Sequence, residues 1–230
     1  MRKGGETPAG ASPRSDIDAF LRQARSLAPA GEGRGRLVFA LDATMSRQPT
    51  WDTACRLQGD MFEEAGKVGG LDVQLVYFRG FNECRASRWV SDTKALRDLM
   101  TGIDCRGGHT QIGKVLAHAR RETAKQKVAV LVFVGDALEE PIDTLAAKAG
   151  QLGLLGLRVF IFQEGRDPQV ERGFREIARL TGGAYARFDV NAAGELAQLL
   201  RAAAIYAAGG LKALERSGGS GGRRLLEQLR

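Results

Sequence analysis

A chain of 230 residues, 43% of them hydrophobic, can bury one good-sized core with tails, and it holds no apolar run long enough to span a bilayer. Its formal charge of +7 and pI near 9.7 raise the question of nucleic acid, but the excess sits at the two ends. Residues 1–36 carry seven Lys/Arg against four Asp/Glu and residues 201–230 six against two, which leaves residues 37–200 near neutral and implies no basic groove on the fold.

In chain order, Met1–Asp18 lacks an apolar h-region and does not read as a secretory signal. Ser15 to about Ser26 reads as a short helix, capped by Ser15 and striped by Ile17, Phe20, Leu21 and Ala24. Residues 28–36 form a linker. Leu37–Leu41 is a continuous apolar run that stops at Asp42, the pattern of a strand buried on both faces. Ala54, Leu57, Met61 and Ala65 recur at helical spacing, and Leu71–Phe78 reads as a second strand. Glu83–Val90 reads as a short edge strand, reached by a hairpin through Gly80 and Asn82.

A helix near 92–100 is followed by the glycine loop Arg106–His109 and an amphipathic helix carrying Ile112, Val115, Leu116 and Ala119. Val128–Val134 is a second apolar run, and it too ends at an acid, Asp136. Ile142, Leu145, Ala149 and Leu152 mark a helix, and Leu157–Phe162 a strand. Asp167-Pro168 opens the next helix as N-cap and first-turn proline. Ala184–Phe188 is a last strand, and Asn191 caps a final helix with Leu196, Leu199, Leu200 and Ala203 inward. Strands alternating with helices predict right-handed crossovers and a mainly parallel sheet covered on both faces.

The expected organisation is an N-terminal helix and linker over 1–34, one α/β domain over 35–205, and a flexible basic tail over 206–230. Cys55, Cys84 and Cys105, odd in number and widely spaced, fit neither a disulfide framework nor a zinc knuckle; they read as buried or half-buried thiols of a reducing, cytoplasmic protein. His109 and His118 read as ordinary loop and helix-surface residues. Trp51 and Trp89 read as partial core.

Ligands of an open parallel sheet bind beyond the carboxyl ends of its strands, where the strand order reverses. If the strands ending at Asp42 and Asp136 are neighbours there, two carboxylates face one crevice and repel unless a cation or proton intervenes. The loop Asp42-Ala43-Thr44-Met45-Ser46 adds two hydroxyls on alternate residues. Oxygen donors without a His or Cys cluster favour a hard ion: Mg²⁺, or alternatively Mn²⁺ or Ca²⁺. Helix capping is the simpler explanation of each acid alone, but it does not call for Thr44, Ser46 and Thr110 as well.

Asp-x-Thr-x-Ser after the first strand, Thr110 after Gly107-Gly108-His109, and Asp136 after a central strand together resemble the metal-ion-dependent adhesion site of von Willebrand factor A (VWA) domains, over about residues 35–205. Three departures stand out: Thr44 where Ser is usual, His109 where a small residue is common, and Ala137 where Gly is common. The resemblance implies a three-layer, Rossmann-like doubly wound sheet with one antiparallel edge strand. It also implies metal ligands Asp42, Thr44, Ser46, Thr110 and Asp136, and an open coordination position for an acidic side chain of a partner protein. Intracellular members of that family often serve ATPases or chaperone-like machines. The expectation is therefore an adaptor and not an enzyme, with no membrane or nucleic-acid partner. The alternative is a Mg²⁺-dependent phosphoryl-transfer or hydrolytic enzyme using Asp42, although no Walker-type Gly-Lys-Ser/Thr string occurs.

Overall fold

The computed structural model describes residues 34–50, 71–92, 95, 98–100, 102–188 and 193–229. The helices expected over 15–26 and 54–65, Trp51, Cys55 and the Asn191 cap lie outside them.

Six strands form one sheet: β1 (Gly35–Asp42), β2 (Leu71–Arg79), β3 (Glu83–Ala86), β4 (Val130–Gly135), β5 (Arg158–Glu164) and β6 (Ala184–Phe188). Their spatial order is β3-β2-β1-β4-β5-β6, with only β3 antiparallel. The expected doubly wound, mainly parallel sheet with an antiparallel edge is the fold observed. The chain leaves β1 toward β2 on one side and later returns to β4 on the other, so the order reverses between β1 and β4.

The apolar runs form strands because both faces of the sheet are covered. Leu37, Phe39 and Leu41 face one core cluster, and Val38 and Ala40 face the other, all fully buried. The second cluster lies under α1 (Ile112–Lys125), α2 (Ile142–Leu154) and α3 (Pro168–Leu180). There Phe133 stacks on Phe78 with ring centroids 6.1 Å apart and meets Phe174 edge-on at 5.6 Å. Asp167 caps α3 as its sequence suggests, its carboxylate accepting the amides of Gln169 and Val170. Ile142, one of the four residues that mark α2, lies at its rim and is 37% exposed.

Several polar groups that enter the core are paired. Arg36 places its guanidinium 3.7 Å from the centre of the Trp89 ring, and Trp89 Nε1 donates to Glu122 at 2.7 Å. His118, expected on the helix surface, is half-buried and bonded to Gln74 at 2.8 Å. Burial holds its pKa below the ordinary value.

Two segments differ from the sequence reading. The edge strand ends at Ala86 instead of Val90, because the Ser87 hydroxyl takes the Leu75 amide at 3.0 Å and breaks the ladder; Val90 rejoins β2 at Val73. The C-terminal stretch, expected to be loose beyond residue 205, is helical. Helix α4 (Ala193–Ser217) bends at Gly210, and α5 (Ser220–Leu229) folds back on it. Leu214 and Leu225 are fully buried in the first cluster. Gly221 permits this return, since a Cβ there would stand 2.3 Å from the Gln198 carbonyl oxygen. The Gln228 side chain then accepts the Tyr185 amide and donates to the Tyr185 carbonyl, both at 2.8 Å.

Candidate functional site

The register partners of β1 and β4 end at Leu41 and Val134, so Asp42 and the Gly135-Asp136 pair emerge at the same edge of the sheet. The first loop is held from both sides: the Ala43 amide donates to Phe78 O and its carbonyl accepts from the Arg106 amide, each at 3.0 Å. Thr44 accordingly bridges Arg106, and the Asp-x-Thr-x-Ser loop runs beside the glycine loop. Gly108 has to be glycine, because a Cβ would lie 2.1 Å from Gly80 O at the tip of the β2–β3 hairpin.

Asp42 is fully buried. Its Oδ1 accepts the Thr44 amide at 2.8 Å, while Oδ2 is buried with no hydrogen-bond partner. Asp136 Oδ1 is likewise buried and unpartnered. The Thr44 and Ser46 hydroxyls lie 3.1 Å apart. Burial pushes the Asp42 carboxyl up to about 6; the hydroxyl and amide of Thr44 and the charge of Arg47 oppose the shift, and the charge of Asp136 adds to it.

The structure thus brings Asp42, Thr44, Ser46 and Asp136 to one place. Thr110 is buried on the adjoining loop and bonded elsewhere: its hydroxyl accepts the Glu139 amide at 3.0 Å, and its own amide donates to the Glu139 carboxylate at 2.6 Å. His109 is exposed, with Nδ1 3.3 Å from Glu139.

Orphaned buried carboxylate oxygens are costly, and a divalent ion is the usual remedy for two of them facing one crevice. The oxygen donors present fit a hard cation. Among the described residues no group of three or more His, Cys, Asp or Glu side chains is placed to hold a metal, so such a site depends on hydroxyl donors.

Sequence reasoning missed three groups. Arg47, one residue past the motif, is fully buried and paired with Glu164 at the end of β5. Glu139 orients Thr110 as described, and Glu140 accepts the amides of Ile112 at 2.5 Å and Gly113 at 2.8 Å, capping α1 from outside its own chain segment. Two acids directly before Pro141 were the available signal for the second pair.

No family model and no curated protein matches this chain. Solved structures do. An aerotolerance-related membrane protein from Bacteroides fragilis is similar at 18% identity and a TM-score of 0.60, covering 74% of this chain and 98% of its own. The VWA domain of SpRpn10 is similar at 10% identity and 0.60, covering 71% and 95%. A von Willebrand factor type A protein from Catenulispora acidiphila gives 17% and 0.59, covering 75% of this chain and 43% of its own. At these identities the likeness establishes the fold, which is VWA-like. Among the described residues no helix is long and apolar enough to cross a membrane.

Proposed function

We propose that this chain is a metal-dependent protein-interaction domain, an adaptor in which a divalent cation, Mg²⁺ or Mn²⁺ or Ca²⁺, receives an acidic side chain from a partner. The observation that carries the reading is the pair of buried, unpartnered oxygens, Asp42 Oδ2 and Asp136 Oδ1, beside the adjacent hydroxyls of Thr44 and Ser46. Those four residues would hold the ion, with Thr110 completing the set from the glycine loop. The ion would supply a Lewis-acidic position that a partner carboxylate can complete. Because hydroxyls bring no charge, two carboxylates leave a divalent ion electrophilic toward that carboxylate.

VWA-like folds as a class support protein binding as the general role, and a cytoplasmic adaptor serving an ATPase or chaperone-like machine is the specific form proposed. The enzymatic alternative is less well supported: Asp42 Oδ1 is tied to the Thr44 amide, and the first loop offers hydroxyls where phosphoryl transfer calls for a second carboxylate. The deciding experiment is affinity capture from lysate in Mg²⁺ and in EDTA, with Asp42→Ala alongside. Partners are expected only with wild type in Mg²⁺; the same partners at full yield in EDTA would refute the metal-dependent reading.

A further inference from the structure

Beside the edge strand β3, on the α1 side of the sheet, lies a hollow of about 470 Å³. Its floor is made of short side chains, Val76, Cys84, Ala86 and Ala117, and Lys114 and Arg121 of α1 and Lys148 of α2 stand around it. Glu140 is the one acid in its lining, and both of its oxygens are occupied by the α1 amides. Lys114 Nζ donates to Gln111 at 2.7 Å and to Asn82, both neutral. Among the described residues, none of Lys114, Arg121 and Lys148 forms an ion pair. On a domain whose middle is nearly neutral, these cations outnumber the single acid, whose charge is shared with Lys148, and leave a local excess of positive charge.

The strand next to it is unpaired along its outer edge among the described residues. The Ser87 amide donates inward to Leu75 O at 2.8 Å, and antiparallel alternation then turns the amides and carbonyls of Cys84 and Ala86 outward. Side chains of the same two residues sit on the α1 side, against the second core cluster. A strand added here would pair with outward main-chain groups and drop every second side chain into the hollow.

We infer that this edge takes an extended acidic peptide as an added strand on β3, its alternate Asp or Glu side chains entering the hollow against Lys114, Arg121 and Lys148. Cations beside the edge repel a second copy of this basic stretch and attract an anionic one, so the same charges that guard the strand select its partner. The site is independent of the metal.

The test is fluorescence anisotropy of a labelled peptide alternating Val and Glu, titrated with the full chain in EDTA. Saturable binding is expected. Arg121→Glu should weaken it by about tenfold or more at low salt, and rising salt should weaken the wild type. An alternating Val and Gln peptide, and a Val and Glu peptide methylated on alternate amides, should not bind. Ala86→Pro should also abolish binding; Ala86 faces Val76 at a position that contributes no inward ladder bond, and far-UV CD checks its folding. Four results would overturn the inference: no saturation up to millimolar protein, full affinity in Arg121→Glu, full affinity for the methylated probe, or displacement by inorganic phosphate at the concentration at which unlabelled peptide competes.

Discussion

Leu41 and Val134 face each other as the last register partners of β1 and β4. The residues that follow are therefore delivered to one edge of the sheet by main-chain pairing alone, whatever their side chains prefer. That geometry places Asp136 close enough to Asp42 for its charge to help raise the Asp42 carboxyl. Titration of Mg²⁺ or Mn²⁺ into the purified chain, followed by calorimetry, should show a dissociation constant on the order of micromolar to millimolar, as for other half-open oxygen sites. Asp42→Ala or Asp136→Ala should remove the heat while the far-UV CD spectrum persists. Heat that is unchanged in both variants would dismiss the site.

Partner binding should share that dependence. Ser46→Ala and Thr110→Ala keep both carboxylates but remove neutral donors, and each should weaken capture of the partner. Loss of the whole contact should cost on the order of 2 kcal/mol or more, as at other buried hot spots. Affinities measured in Mg²⁺ for the two variants decide the matter; wild-type values in both would remove hydroxyls from the donor set.

Metal-free protein should lose stability as pH rises through about 6 on account of Asp42. Its folded pKa, about 6, lies above the ordinary value of 3.8, so the native state holds the proton more tightly. The contribution is complete below the lower value and is lost as the pH passes the higher one. Asp42→Asn should flatten that dependence and stabilise the metal-free chain at pH 8 by on the order of 2 kcal/mol. Urea denaturation in EDTA at pH 5 and pH 8 checks both; an identical pH slope in the two proteins would contradict the burial of an ionised Asp42.

Glu164→Ala removes the carboxylate facing the fully buried Arg47. Weakening the pairing of a buried cation is expensive, so the expected loss is on the order of 3 kcal/mol, against little for a surface pair such as Arg179 and Glu176. Thermal unfolding of Glu164→Ala and Glu176→Ala side by side should separate the two, and equal melting temperatures would mean that the Arg47 pair contributes nothing.

Leu225→Ala should cost about 2–4 kcal/mol, as expected for a fully buried leucine. Leu211, 37% exposed on α4, should tolerate alanine within about 0.5 kcal/mol. Equal effects on denaturation midpoint would show that α5 does not dock in solution.

The fold was readable because strands buried on both faces cannot alternate polar and apolar residues, so β1 and β4 stand out and so do the acids that end them. The order of Asp42, Thr44, Ser46, Thr110 and Asp136 along those element ends carried the site. Two things were hidden for opposite reasons. Arg47 follows a polar string and reads as solvated; its partner Glu164 lies far along the chain, where no local pattern announces it. Residues 218–222 have the composition of a linker, yet Gly221 is needed for the close return of α5. A contact made possible by an absent side chain leaves no hydrophobic signal to read.

Gln228 has a consequence for assembly. By answering both main-chain groups of Tyr185, its carboxamide stands where a neighbouring strand would begin on the far side of β6. Fibres built by sheet extension need an available border at both ends of every subunit, and among the described residues the β6 border is blocked at Tyr185. Extension of the sheet past β6 at Tyr185 therefore first requires release of Gln228 from that residue.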